Sequence, residues 1–96
     1  MPQVYLLLCA DNTYYTGWTT DLEKRMRAHN KGTGARYTRA RLPVKVVYAE
    51  EVSSKSEALK RENQLRRLKR KDKEVLAANY VKHDKNTSAE KDRTQL

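Results

Sequence analysis

The fold is decided by residues 3–20, which read QVYLLLCADNTYYTGWTT. Residues 4–9 are apolar on both alternating faces, and residues 13–18 are aromatic and β-branched, so both segments predict strands. Residues 10–12 between them favour a tight turn, in which Asn12 can take the left-handed conformation. A β-hairpin is therefore expected at the start of the chain.

The length of the hairpin loop decides which side chains share a face. A loop in which Cys9 pairs with Thr13 sets Tyr5 opposite Gly17. It also places Tyr5 and Tyr15 on the same side of the sheet, because side chains alternate along a strand. A two-residue loop at positions 11 and 12 would separate the two tyrosines.

The next segments predict a helix, a loop and a third strand. Residues 20–23, Thr-Asp-Leu-Glu, form a capping box, and helical spacing of apolar residues then predicts a helix over 21–30 that ends before Gly32. Residues 32–41 are basic and without a clear period, which indicates a loop or a short irregular turn. Residues 44–50 predict a strand, with Val44, Val46 and Tyr48 facing one way.

A second capping box, Ser-Lys-Ser-Glu at residues 54–57, predicts a helix whose apolar positions are Ala58, Leu59, Leu65 and Leu68. Residues 72–78 predict a short additional helix. We therefore predict an α/β fold of the α+β type, with a small three-stranded antiparallel sheet flanked by helices. One domain is expected over residues 1–78, followed by a flexible polar tail over residues 79–96.

The charge of the chain points to a polyanionic partner. It has 21 Lys and Arg against 12 Asp and Glu, a formal net charge of +9, and nearly all of the excess falls within residues 1–78. Lys and Arg displace the counterions that condense on a phosphate backbone, so nucleic acid is the favoured partner. The alternative is that the charges only keep a small protein in solution.

Two features exclude other classes of protein. Cys9 is the only cysteine, so an internal disulfide and a thiolate metal cluster are excluded, and a cytoplasmic location is expected. The longest apolar run, residues 4–10, is too short to span a bilayer.

Polar residues occur where the local pattern predicts burial, and they are Tyr5, Tyr15, Arg25, His29 and Glu62. Each also has a structural interpretation. The tyrosines can be core aromatics, Arg25 can cover its own helix with its aliphatic stem, and His29 can complement the helix dipole. Glu62 needs a cation, which is either a metal ion or the arginine one turn later.

The order and spacing of these residues resemble a known family. Gln3-Val4-Tyr5, then Tyr15-Thr16-Gly17, then Arg25, His29 and Glu62 resemble the motifs of the GIY-YIG nuclease superfamily. Residues 14–21 and 34–39 look similar to a branch of small stand-alone bacterial members of generally unassigned role. The resemblance extends over residues 3–76. It departs at Gln3 and Thr16, which replace a glycine and an isoleucine of the framework.

The resemblance implies a metal-dependent endonuclease that hydrolyses phosphodiester bonds in DNA, structure-specific and related to repair. It implies the five residues as the catalytic set, with Glu62 holding one Mg²⁺ or Mn²⁺ and Arg25 contacting the scissile phosphate. One tyrosine would help to deprotonate the attacking water, and the sequence leaves open which one.

The approach to this site is expected to bind nucleic acid, DNA rather than RNA, with a protein partner as a further source of specificity. The residues expected to do so are Arg36, Tyr37, Arg39, Arg41 and Lys45, through phosphate contacts and one aromatic stack. The basic run over residues 66–73 either extends this groove or forms a solvated face. The alternative function is a module that binds nucleic acid through the same face without cutting it.

Overall fold

A computed structural model describes residues 1–88, with side chains for residues 1–80. The elements in chain order are β1 (Gln3–Leu8), β2 (Tyr14–Thr19), α1 (Leu22–Asn30), α2 (Arg36–Arg39), β3 (Lys45–Glu51), α3 (Lys55–Arg67) and α4 (Arg70–Ser88). Among these residues, none of the helices combines the length and the apolar character that crossing a bilayer requires.

The three strands form an antiparallel sheet, as predicted, and their order in it is β2-β1-β3. Strand β1 lies in the centre and is apolar on both faces because helices cover both. Val4 and Leu6 pack with residues of α3 and α4 on one face, while Tyr5 and Leu7 pack with residues of α1 and α2 on the other. Strand β2 is one edge of the sheet and β3 is the other.

The hairpin has the loop that keeps both tyrosines on one face. The backbone N–H of Cys9 donates to the carbonyl of Thr13 at 2.8 Å, and Asn12 takes the left-handed conformation with φ of 71°. Tyr5 consequently faces Gly17, and Tyr5 and Tyr15 pack in the same cluster.

Helix α1 begins one residue later than its capping box predicts. Its N-cap is Asp21, whose carboxylate accepts from the backbone N–H of Lys24 at 3.1 Å. Thr20 is exposed, and Glu23 pairs with Arg27 at 3.7 Å. The expected reciprocal box at Thr20 is therefore wrong. The predicted end is confirmed, because Gly32 follows the helix with φ of +85°.

Strand β3 differs from the predicted alternation. Leu6 pairs with Tyr48 and Leu7 pairs with Val46, so Val47 is an extra residue in a β-bulge. The bulge reverses the alternation, and Val46 packs on the α1 face whereas Tyr48 packs on the α3 face. The prediction that Val46 and Tyr48 face the same way is wrong for this reason.

The two C-terminal helices also depart from the predicted pattern. Ser54 caps α3 and Ala58 and Leu65 are fully buried, as predicted, but Leu59 is 51% exposed. Helix α4 is longer than expected and continues through Ser88, ten residues beyond position 78. Tyr80 contacts Tyr48 edge to face at 5.8 Å, which ties this continuation to the sheet. The expected tail falls partly on residues 89–96, which lie outside the described residues.

Candidate active site

Tyr5 reaches the β2 edge of the sheet by crossing over a glycine. A Cβ atom at Gly17 would lie 2.6 Å from the Tyr5 hydroxyl oxygen and 2.8 Å from Tyr5 Cζ, so a side chain at position 17 cannot coexist with this phenol. Tyr5 is only 1% exposed. The register set by the hairpin thus lays the phenol across β2 instead of across the centre of the sheet.

Helix α1 supplies Arg25 and His29, which lie four residues apart and therefore on one face of the helix. The His29 ring is fully buried, and its Nε2 lies 3.1 Å from the Tyr5 hydroxyl. Its Nδ1 lies 2.8 Å from Thr38 Oγ1. Helix α1 thus places the His29 ring within hydrogen-bonding distance of the Tyr5 hydroxyl.

One tautomer of His29 satisfies all of the surrounding contacts. Thr38 Oγ1 donates to the carbonyl of Ala35 at 3.1 Å, so its lone pairs are left to accept from His29 Nδ1–H. Nε2 is then unprotonated and accepts from the Tyr5 hydroxyl. Thr38 fixes the ring in the form that can take a proton from Tyr5.

The loop before α2 packs closely against His29. A Cβ atom at Gly34 would lie 2.7 Å from His29 Cγ and 2.8 Å from His29 Cα, so only glycine lets the chain pass this close. The ring is thereby confined between the loop, Thr38 and Tyr5.

Arg25 links the two tyrosines electrostatically. Its pKa is raised, first by hydrogen bonding to the Tyr5 hydroxyl and then by the electrostatic influence of the Tyr5 and Tyr15 hydroxyl groups. Burial nevertheless raises the pKa of Tyr5 and outweighs Arg25, so the phenol is protonated. Burial and then the charge of Arg25 lower the pKa of His29, which is neutral as a result.

Glu62 approaches from the helix on the other face of the sheet. Helix α3 packs against β2 and β1, and the negative charge of Glu62 contributes to the raised pKa of Tyr5. Tyr5 crosses Gly17 towards the β2 edge, and Glu62 is near enough for its charge to act on the Tyr5 hydroxyl. The Glu62 carboxylate also accepts from Arg66 Nη2 at 2.9 Å, so the ion pair considered for it is present as well.

Tyr15 completes the group of five through its ring. It contacts His29 edge to face at 5.5 Å and stacks on Tyr37 at 6.0 Å with an interplanar angle of 23°. The guanidinium of Arg41 covers the Tyr37 ring at 3.8 Å. The Tyr37 ring is thus in contact with both Tyr15 and Arg41, and it supports the Tyr15 ring.

The remaining residues expected to bind nucleic acid are spread over different surfaces. Arg36 and Arg39 are exposed on α2. Arg41 is held by Asp11 at 2.9 Å and donates to the carbonyl of Tyr37 at 2.9 Å. Lys45 lies on β3, at the edge of the sheet away from β2, beside a cavity lined by Leu8 and Pro43 among others. The structure therefore does not bring Lys45 to the group around Tyr15.

Sequence reasoning missed Thr38 and the contact glycine Gly34, whereas it had already paired Gly17 with Tyr5. Thr38 is fully buried although it lies in a basic, polar segment, and no periodicity in that segment indicates burial. The only signal was the resemblance of residues 34–39 to the small stand-alone branch, which includes Gly34 and Thr38 but assigned neither a role.

The donor atoms fit one hard divalent cation bound by a single protein carboxylate. In the part of the chain that the structure describes, no three or more His, Cys, Asp or Glu residues form a group that could hold a metal ion. A cation such as Mg²⁺ keeps several waters and takes further oxygens from substrate phosphates, so Glu62 can suffice. The same donors do not fit zinc, which takes several nitrogen or sulfur ligands.

Comparison with known proteins identifies the family of the chain. Residues 1–75 match the family described as the GIY-YIG catalytic domain. The chain is 50% identical over 76 residues to a UPF0213 protein of Halobacterium salinarum, across 79% of this chain and 99% of that protein. It is 47% identical over 85 residues to a UPF0213 protein of Clostridium perfringens, across 88% of this chain and 91% of that protein.

A solved structure is similar as well. The solution NMR structure of a UPF0213 protein from Bacillus halodurans is 39% identical and superposes with a TM-score of 0.55. The match covers 92% of this chain and 95% of that one. The names of these relatives state no activity.

Proposed function

The chain belongs to the GIY-YIG catalytic domain family, a nuclease family, and from this premise we propose that it is an endonuclease that cuts DNA with one Mg²⁺ or Mn²⁺ ion. The observation that carries the proposal is the hydrogen bond between Tyr5 and His29, with Arg25 beside the Tyr5 hydroxyl and the charge of Glu62 acting on the same phenol. A structure-specific substrate, such as a branched or damaged duplex of the kind handled in DNA repair, is the finer part of the proposal.

The side chains can be assigned to the needs of phosphodiester hydrolysis. Arg25 binds the scissile phosphate, because its planar fork matches two phosphate oxygens and stays charged at any working pH. Its neighbour Tyr15 orients the same phosphate. Glu62 would hold the divalent cation, which supplies positive charge as the phosphorus centre and leaving oxygen become more negative.

We assign proton transfer to Tyr5 and His29. The attacking water gives a proton to the Tyr5 oxygen while Tyr5 passes its own proton to His29 Nε2, along the contact of 3.1 Å. The water oxygen forms a bond to phosphorus, the bond to the leaving sugar oxygen breaks, and that oxygen takes a proton from solvent. His29 must be neutral beforehand, in agreement with its lowered pKa.

A panel of DNA substrates tests this function. Purified protein with Mg²⁺ or Mn²⁺ is expected to cut at least one substrate among plasmid, branched, flapped and single-stranded DNA, and a chelator is expected to stop it. Arg25→Ala should lower the single-turnover rate at least about 100-fold while the protein still binds DNA. Arg27→Ala is the matched control, because Arg27 is on the same helix but exposed and paired with Glu23.

The alternative is a nucleic-acid-binding module that does not cut. Its support is the ion pair between Glu62 and Arg66, which already neutralises the carboxylate that the metal would use. Binding to DNA without cleavage of any substrate in the panel, with either metal ion, would favour this alternative over the nuclease.

A further inference from the structure

A cavity of about 270 Å³ lies at the edge of β2, beside the candidate active site. Tyr14 and Thr16 point to one face of the sheet and Tyr15 to the other, so a cavity that touches all three wraps around this open edge. It is lined by Tyr14, Tyr15, Thr16, Tyr37, Arg66 and Lys73. Tyr15 belongs both to this cavity and to the group around Arg25.

The cavity is electropositive. Arg66 from α3 and Lys73 from α4 are its charged lining residues, and among the residues that the structure describes no acidic side chain lines it. Burial, followed by the positive charge of Arg66, lowers the pKa of Lys73. Lys73 forms no ion pair with any side chain that the structure describes. Lys73 is a partly buried cation that Arg66 repels, so an anion placed in the cavity beside it would be stabilised.

Arg66 connects the cavity to the proposed cation site. Its guanidinium pairs with Glu62 at 2.9 Å while its side chain lines the cavity. The Arg66 side chain is 58% exposed and that of Glu62 is 14% exposed, so the arginine is the partner that can move. A divalent cation at Glu62 would repel Arg66, which can then turn its charge into the cavity.

We propose that this cavity binds a phosphodiester of the substrate strand next to the scissile phosphate, with Arg66 and Lys73 supplying its positive charge. The proposal rests on the proposed function, because it requires one strand of the DNA substrate to pass from Arg25 to the cavity. Tyr15 sits between the two phosphate positions and contributes to both. The substrate strand is the occupant because the cavity continues a site built for phosphate and carries the same sign of charge.

The test measures binding without cleavage. A short fluorescein-labelled single-stranded oligonucleotide is titrated in the presence of a chelator, and fluorescence anisotropy is read over a series of salt concentrations. Lys73→Gln should lower the affinity about tenfold and reduce the magnitude of the salt-dependence slope by about 0.7, as expected for the loss of one phosphate contact. Lys73→Arg should keep both. Lys71→Gln, on the exposed side of α4, should change the affinity less than about twofold.

The outcomes separate this proposal from the nuclease proposal. If Lys73→Gln binds like the parent protein and Lys71→Gln, the cavity is not a phosphate site, whether or not the protein cuts DNA. If Lys73→Gln loses affinity while no substrate is cut, the cavity is supported as a phosphate site, but its place next to a scissile phosphate is overturned together with the nuclease proposal.

Where cleavage occurs, a neutral methylphosphonate at the neighbouring phosphate tests the assignment of position. It should weaken binding by the parent protein but not weaken Lys73→Gln further. Equal losses in both proteins would place that phosphate elsewhere and overturn the proposal.

Discussion

Tyr5 and Gly17 face each other across the hairpin, and the absence of a side chain at position 17 leaves the space that the phenol occupies. The sequence was enough to propose this pairing, because one loop length sets Tyr5 against Gly17 and on the same face as Tyr15. The direction of the phenol was not predictable, since it depends on rotamers and on the helix that packs above it.

Gly17→Ala is predicted to destabilise the protein by about 1–3 kcal/mol, because the new Cβ overlaps the buried Tyr5 ring. The displaced phenol should also lower cleavage by roughly 100-fold. Urea unfolding and single-turnover cleavage measure the two effects. Gly32→Asn is the control, because asparagine tolerates the left-handed conformation of that position and the nearest side-chain atom is 3.8 Å from a Cβ there. Equal stability of Gly17→Ala and the parent protein would refute the crossing of Tyr5 over β2.

His29 predicts how stability depends on pH. The pKa of His29 in the folded protein is below the usual value of 6.5. Between these two pKa values, the unfolded chain binds a proton that the folded protein does not. The free energy of unfolding should therefore fall as the pH drops through 6.5 and continue to fall down to the folded pKa. His29→Gln should have a flatter curve in this window, as measured by urea unfolding at a series of pH values. Parallel curves for the two proteins would contradict a buried neutral His29.

The contact of Thr38 with His29 could not be predicted from the sequence. Its contact with His29 spans nine positions and depends on how α2 packs under α1. Spacing within a helix predicted Arg25 and His29 together, but a partner from a separate element leaves no periodic signal. The resemblance covered position 38 without assigning it a role.

At the scale of elements, local signals predicted which helices and strands form but not all of their details. The hairpin, the Ser54 cap and the Gly32 helix end follow from side-chain chemistry within a few residues. The β-bulge at Val47 does not, because an extra residue is recognised only against its partner strand. The continuation of α4 includes a contact with a distant element, that of Tyr80 with Tyr48, which no local signal predicts.

The N-cap of α1 gives a prediction about stability, for which the neighbouring Thr20 serves as the control. Asp21→Ala should lower the free energy of unfolding by about 1 kcal/mol, because its carboxylate caps the backbone N–H of Lys24. Thr20→Ala should change it by less than about 0.5 kcal/mol, since Thr20 is exposed and outside the cap. Chemical denaturation of both variants measures the difference. A larger loss of stability for Thr20→Ala than for Asp21→Ala would contradict the cap at Asp21 and support the capping box at Thr20.

At the scale of the whole molecule, the two faces of the sheet contribute to one region. Helix α1 brings Arg25 and His29 from one side, and α3 brings Glu62 from the other, with the β2 edge between them. The sequence predicted these residues as a set through their resemblance to a family. It misplaced Lys45, because the basic segment before β3 leads to the opposite edge of the sheet.

The most direct test compares two glutamates of α3 in single-turnover cleavage of a DNA that the protein cuts, with Mn²⁺ present. Glu62→Gln removes the charge beside Tyr5, whereas Glu57→Gln removes an exposed charge near the start of the same helix. We predict that Glu62→Gln cuts at least about 100-fold more slowly while still binding the DNA, and that Glu57→Gln cuts like the parent protein. Cleavage by Glu62→Gln at the parent rate would contradict a cation-dependent site built around Glu62.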